Sequence, residues 1–319
     1  MEKLIIGSRG SLLAKTQTQQ VIQQLQKVLP GLLIEWKQID TSGDLDTKTQ
    51  LTSFGSLGVF VKELQLALIK GDIHVAVHSL KDVPENQPEE LILSCFPLRE
   101  EAADVWIGQV PFASLTPGSK VGTGSPRRQM QLSLLRPDLE FIPLRGNLET
   151  RIAKVSQAEC AGIVLAQAGL RRLGWENKIT HPFTLENMIP AIGQGALALE
   201  CRQQDVWVQE LLQAIHDTVT ARAVRLERAL MSQLGGGCRV PLAAHACLEG
   251  QKWKMYAALG HPNKKKMIKV VLTDDDEERL LKSTVEKIEN LALANNLPLP
   301  RDVPEHYLLQ TGFSAPAKK

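Results

Sequence analysis

The sequence predicts an α/β protein: two α/β units of similar size and order, then a smaller α+β domain. Three observations carry that expectation. Short apolar runs alternate with helical periodicities from Lys3 onward, the alternation restarts after Pro97, and beyond Gly235-Gly236-Gly237 the pattern changes to three strands and one long helix. The length of 319 residues leaves room for two or three domains at roughly 100–200 residues each. Hydrophobic residues are 43% and charged residues 23%, a globular balance that excludes disorder, collagen and a disulfide scaffold for the body of the chain.

In the first unit, Lys3–Ile6 is an apolar run ending in Gly7 and reads as a strand. Ala14, Thr18, Val21, Leu25 and Val28 then recur at alternating steps of four and three, a helical period that Pro30-Gly31 stops. Ile34–Ile39 reads as a strand, Val59–Lys70 as a helix closed by Gly71, and Ile73–Val77 as a strand. In the second unit, strands are expected at Val105–Gly108, around Val121, at Leu139–Leu144 and at Gly162–Ala166. Helices are expected from Pro126, behind the N-cap Ser125, to about Arg136, over Asn147–Gln157 and over Gly169–Leu173. Trp207–Ala214 and Thr220–Leu234 follow as helices. The last domain takes strands at Ala243–Leu248, Trp253–Ala258 and Met267–Leu272 and a helix at Asp275–Leu293. Lys264–Lys266 reads as a solvated turn, and the Pro-rich tail from Pro298 as loosely held.

Lys plus Arg is 37 and Asp plus Glu is 35, a net charge of +2. That gives no global pull toward nucleic acid or an anionic membrane, and the sparse aromatics (Phe 7, Trp 5, Tyr 2) disfavour a base-stacking surface. The N-terminal MEKLIIGSRG lacks the long apolar core of a secretory signal, and no run is long enough to span a membrane, so a cytoplasmic protein is expected. Cys95, Cys160, Cys201, Cys238 and Cys247 are odd in number and scattered, and read as reduced thiols. Cys238, His245 and Cys247 lack a fourth ligand at metal-site spacing, so no metal is expected.

The near-neutral total hides an uneven distribution. Residues 120–155 hold seven basic and three acidic residues, a local excess of +4. Arg127, Arg128 and Arg145 follow strands, where open α/β sheets bind ligands, and guanidinium forks match carboxylates and phosphates. Arg136 and Lys154 are assigned to the exposed face. Gly7-Ser8-Arg9-Gly10-Ser11 and Gly122-Thr123-Gly124-Ser125-Pro126-Arg127-Arg128 each place small residues, hydroxyls and Arg at a helix N-terminus, a natural anion site. Either alone reads as ordinary capping; two at equivalent places in twin units point to a small polyanion. His78-Ser79-Leu80-Lys81-Asp82 puts a cation and a carboxylate at a sheet edge, where Asp82 could stabilise a developing cation or form a structural pair. Cys238, between three glycines and Arg239, is either a presented thiol with thiolate character or a buried small hydrophobe.

These motifs resemble the porphobilinogen deaminase, or hydroxymethylbilane synthase, family of tetrapyrrole biosynthesis. The carrying segments include IGSRGSLLA at 6–14, TSGD at 41–44, FVKEL at 60–64, VHSLKDVP at 77–84, GTGSPRRQ at 122–129, LRGNLETR at 144–151, LAQAGLRRLG at 165–174, PAIGQGALALECR at 190–202 and LERAL with GGGCRVP at 226–241. They run in order over some three-quarters of the chain. The resemblance implies doubly wound periplasmic-binding-protein-like lobes at 1–98 (completed by about 192–214) and 99–191, with a cleft between them, and a cofactor-attachment domain at 215–319. It implies a dipyrromethane cofactor, joined by a thioether to Cys238 and kept as a primer. It also implies a transferase that deaminates and couples four porphobilinogen molecules and releases hydroxymethylbilane, acting as a monomer. Asp82 would contact pyrrole N–H groups and stabilise the positive charge. Arg9, Ser11, Ser79, Lys81, Thr123, Ser125, Arg127, Arg128, Arg145, Gly146, Arg151 and Arg172 would bind cofactor and substrate. Ser53 and Leu57 stand where the family often has lysines, Gly124 and Pro126 where Ser and Leu are common, and Thr218-Val219-Thr220 where His-Glu-Thr or Pro-Glu-Thr is common. The competing reading is a two-lobed protein that binds small anions without chemistry.

Overall fold

Two five-stranded sheets of the same internal order follow one another in the computed structural model, which describes residues 3–40, 61–235, 241–261 and 266–302. The first runs β2-β1-β3-β10-β4, from β1 (Leu4–Ser8), β2 (Ile34–Gln38), β3 (Val75–Ser79), β4 (Leu91–Cys95) and β10 (Leu197–Arg202). The second runs β7-β6-β8-β5-β9, from β5 (Asp104–Gly108), β6 (Lys120–Gly122), β7 (Glu140–Ile142), β8 (Gly162–Ala166) and β9 (His181–Pro182). Parallel pairs are β1–β2, β1–β3, β6–β7 and β6–β8; β10 and β5 lie antiparallel to their neighbours. The central strands are covered on both faces, which is why they read as continuous apolar runs. Each antiparallel strand begins just after the chain crosses between the sheets, β5 after residues 99–103 and β10 after residues 190–196.

The third sheet, β11-β12-β13, is an antiparallel meander of Leu242–Glu249, Lys252–His261 and Lys266–Asp274. Helices Thr218–Leu234 and Glu277–Ala294 cover it through Leu230, Leu234, Trp253, Met255 and Ile288. Asp217 and Asp276 cap their N-termini, accepting from Thr220 N and Arg279 N. Gly235, at φ 71, closes the first of them in the left-handed region.

Several sequence expectations shift. The helix expected at Val59–Lys70 is Lys62–Ile69 among the described residues, and β4 carried no separate signal. The tail is anchored as far as Asp302: Leu297 and Leu299 are buried in the third core, and Arg301 donates to Gln233 O at 2.8 Å and pairs with Glu289 at 2.6 Å. Arg136 is half-buried rather than on the exposed face; it pairs with Asp138 and donates to Phe112 O, Ala113 O and Leu115 O, because a loop there exposes three carbonyls with no strand to pair them. Lys154, also half-buried, pairs with Glu159 at 3.1 Å. Of the expected turn at Lys264–Lys266, Lys266 opens β13 and the rest lies outside the described residues.

One buried side chain joins all three parts. Glu227, on the helix Thr218–Leu234, accepts from both Arg99 guanidinium arms at 2.6 and 3.2 Å, from Gly193 N at 2.7 Å and from Ala246 N at 2.9 Å. Arg99 opens one crossing, Gly193 sits on the other, and Ala246 is in β11. The crossings also touch directly, Glu100 N donating to Gly195 O at 3.2 Å. Gly195 is at φ 89, and a Cβ there would run into Glu100 O, so only glycine lets the two backbones meet. His245 stands 3.6 Å from Glu227; burial and Arg99 push its imidazole down to about 4 against the pull of Glu227, so it is neutral at physiological pH. Replacing Glu227 by Ala leaves Arg99 buried and uncompensated. It is expected to cost about 3–5 kcal/mol, read as a lower denaturant midpoint; a loss below about 1 kcal/mol would show that the carboxylate is not the joint.

Candidate active site

A cleft of about 780 Å³ opens where the two lobes and the third domain meet. Its floor on the first lobe is Leu80–Pro88, the run that leaves the C-terminal end of β3. Its opposite wall is Ser125, Arg127 and Arg128, at the start of the helix Pro126–Leu135. Ile192 and Gln194 of the returning crossing close one side, and Arg228, Met231 and Leu242 of the third domain another. A smaller cavity of about 70 Å³ adjoins it, lined among others by Gln17, Ser79, Arg151 and Arg172; Lys81 and Arg128 belong to both.

Charge in this cleft is arranged around a carboxylate that sequence reasoning missed. Asp104, at the start of β5, is fully buried. Arg127 Nη1 reaches its Oδ2 at 2.7 Å, and Arg128 reaches Oδ1 through Nη2 at 2.7 Å and Nε at 3.0 Å. Burial alone would raise the Asp104 carboxyl, but the two guanidiniums overcome it and hold it well below the usual carboxylate range. Arg127 also donates to Ile189 O at 2.7 Å, and Arg128 to Val164 O at 3.0 Å. Much of both side chains is therefore spent inside the second lobe, with the remainder facing the cleft.

Lys81 is half-buried at the cleft floor, and loss of water around it lowers its ammonium to about 8; Asp82 and Asp104 oppose that shift, Arg128 and Arg127 add to it. Arg151 is pushed down to about 10 by burial and by Arg128, against the pull of Asp82, and donates to Gly146 O at 2.7 Å. Arg172 is lowered to about 10 by burial, opposed by Glu100, and donates to Gly195 O at 2.6 Å, so it also braces the crossing. Asp82 is exposed.

Of the expected residues, Lys81, Asp82, Ser125, Arg127 and Arg128 line the large cleft, and Ser79, Arg151 and Arg172 the small cavity. Arg9, Ser11, Thr123, Arg145 and Gly146 line neither. Ser11 and Ser125 do cap their helices, accepting from Ala14 N at 3.3 Å and Arg128 N at 3.4 Å, and Ser79 bonds Gln17 at 3.0 Å. Cys238, Ser53 and Leu57 lie outside the described residues. Gln194 carries no signal in the sequence beyond its place in the segment 190–202. It donates to Ala102 O at 2.7 Å and Asp104 Oδ1 at 3.0 Å, which leaves its buried Oε1 an acceptor without a hydrogen-bond partner among the described residues. Among those residues no group of three His, Cys, Asp or Glu could hold a metal ion, and no helix is long and apolar enough to cross a membrane.

Two α/β lobes thus face each other across a cleft lined mostly by cations among its charged groups. The family model described as porphobilinogen deaminase, dipyromethane cofactor binding domain, matches residues 4–210, and that of the porphobilinogen deaminase C-terminal domain matches residues 221–290. The chain belongs to the porphobilinogen deaminase family. It is 45% identical over 266 residues to a porphobilinogen deaminase of Syntrophus aciditrophicus, covering 83% of this chain and 87% of that one. It is 41% identical over 291 residues to one of Exiguobacterium, covering 90% and 95%. Among solved structures it is similar to the methionine-binding protein MetQ at 13% identity, TM-score 0.43, over 71% of this chain and 94% of that one.

The cleft fits the dipyrromethane group that this family's domain binds. Two linked pyrroles bearing acetates and propionates need several cations, an apolar wall and acceptors for ring N–H. Lys62, Lys81, Arg127 and Arg128, with Leu80, Ile192 and Met231, and the oxygens of Asp82 and Gln194, supply them. The position of Lys81 near 8 sets a pH dependence. Its ordinary value is 10.5, so the unfolded chain holds the extra proton between about 8 and 10.5, and this group's contribution to stability rises with pH across that window. The cleft carries the Lys81 charge only below about 8, although a bound carboxylate pulls the value up again. Affinity for a dicarboxylate, measured by calorimetry, should weaken as pH rises from about 7 to about 9, and Lys81→Arg should flatten that decline. An unchanged decline in Lys81→Arg would assign it to another group.

Proposed function

We propose that the chain is a transferase that deaminates porphobilinogen and couples four units head to tail on a dipyrromethane primer, releasing hydroxymethylbilane. The observation that carries this is Asp82: an exposed carboxylate on the floor of a cleft whose other charged groups are mostly cations. A site built only to hold anions gains nothing from a carboxylate there. A reaction that forms a cationic, N–H-bearing electrophile does.

The residues divide the work. Lys81 and Arg128, shared by both cavities, together with Arg151 and Arg172, hold the acetates and propionates. Loss of ammonia from porphobilinogen leaves an azafulvene whose positive charge lies beside the pyrrole nitrogen. The Asp82 oxygens accept ring N–H groups and lower the energy of that charge as it develops. When bound, the dipyrromethane supplies the nucleophilic free α-carbon of a terminal pyrrole. Asp82 also accepts the proton lost after coupling, and Gln194 Oε1 offers a second N–H acceptor on the side closed by the returning crossing. Arg9, Ser11, Thr123, Arg145 and Gly146 belong to the outer part of the same anion-binding surface. Cys238 is the attachment residue, in a domain of about 215–319 that follows lobes of 1–98 with 192–214 and 99–191. The protein acts as a cytoplasmic monomer without nucleic acid or membrane.

Asp82→Asn should fold and keep its carboxylate contacts but lose about 10²–10³-fold in ammonia release. Intact mass should show a covalent adduct on the unmodified chain and none on Cys238→Ser. Binding of porphobilinogen without ammonia release would instead favour a non-enzymatic anion binder.

A further inference from the structure

The strap that follows Asp82, Val83–Pro88, lines the cleft along its whole length and is held at its two ends by different parts of the molecule. At the far end the grip is internal to the first lobe. Gln65 Nε2 donates to Gln87 Oε1 and Glu200 Oε1, both at 2.8 Å, and Gln87 donates back to Pro84 O at 2.6 Å. At the near end the grip comes from the third domain. Arg228 donates to Val83 O at 3.2 Å, Pro84 O at 2.7 Å and Glu85 O at 3.2 Å. Pro84 and Pro88 have no N–H, so the strap cannot join a ladder and its carbonyls need side-chain donors. The broad fork of a guanidinium reaches three successive carbonyls at once.

Arg228 sits on the helix Thr218–Leu234, seven residues before that helix gives way at Gly235. The lobe and this helix are already joined without it, by Leu80 and Val83 packed with Ala221 and Val224 and by Arg99 on Glu227. Arg228 adds a separate tie. What it fixes is the run of backbone directly bonded to Asp82.

Resting on the function proposed above, we propose that Arg228 is a positioning residue: it ties the backbone behind Asp82 to a helix of the third domain, so that the carboxylate keeps one place on the cleft floor. Displacing a reacting group by about 1 Å can cost on the order of 100-fold in rate.

The test compares Arg228→Met and Arg228→Lys with the unmodified holoenzyme. Arg228→Met should melt within a few degrees of the parent and carry the covalent adduct by intact mass. Its Val83 amide, which donates to Leu80 O at 3.0 Å, should exchange hydrogen at least about tenfold faster. Its kcat should fall about 10- to 100-fold, with KM changed less than about threefold. Arg228→Lys should recover part of both the protection and the rate. Unchanged exchange, unchanged kcat, or a kcat loss matching the loss of folded protein would overturn the proposal. Failure of the parent enzyme to release ammonia would strike the proposed function instead, and with it the rate consequence, while the exchange data judge the tie on their own.

Discussion

A carboxylate taken out of water must be met by donors on every side, or folding expels or protonates it. Glu227 is met by donors from everywhere the chain crosses: Arg99 on the outgoing segment, Gly193 on the return, Ala246 in the third sheet. The donors lie 128, 34 and 19 residues away in sequence, and none could satisfy the group alone. The lobes and the third domain therefore meet in one arrangement at this point, and the cleft between them inherits its geometry from it. The contact of Glu100 with Gly195 and the brace of Arg172 on Gly195 O reinforce the same crossing.

The cleft itself faces the opposite problem, since cations crowded in a low dielectric repel one another. Asp104 answers it by neutralising part of the Arg127–Arg128 pair from beneath. Lys81 is the group there whose charge is most easily lost, chiefly because it is drawn out of water, with Arg128 and Arg127 adding to the effect. Carboxylate ligands relieve this repulsion as they bind, so the site favours polyanions by its own electrostatics. A chain that nets only +2 thereby builds a strongly cationic pocket without becoming a basic protein.

The twin α/β order, the small third sheet and the basic second unit were legible because each depends on near neighbours: apolar period, a cap, a Gly or Pro stop. The Arg127-Arg128 helix start was legible for the same reason. Asp104 was not, because it opens a strand 23 residues before its partners and falls outside the window in which the local charge was counted. Glu200 and Glu227 were hidden inside apolar periods, where a lone acidic residue carries no sign of whom it meets. Gln194 was visible only as a letter in a motif; its orphaned oxygen exists only once Ala102 and Asp104 take its N–H groups. The assignment of Arg136 to a solvated face failed because periodicity describes a helix and says nothing of the loop carbonyls that its last residue reaches.

Burial sorts the acidic groups of the central region by role more sharply than sequence position does. Asp104, Glu200 and Glu227 are all fully buried and each is met by several donors: two guanidiniums and Gln194 for the first, His78 at 2.8 Å and Gln65 for the second, Arg99 and two backbone amides for the third. A carboxylate so buried and so met is closed to a ligand, and its removal would be felt as lost stability. Asp82 differs in kind. It is exposed, lies one residue beyond Lys81 on the cleft floor, and acts on Lys81 and Arg151 through charge. Its oxygens remain available to N–H groups arriving from outside the protein. Because the structural carboxylates already carry the fold, Asp82 is the one that the proposed function can assign to chemistry.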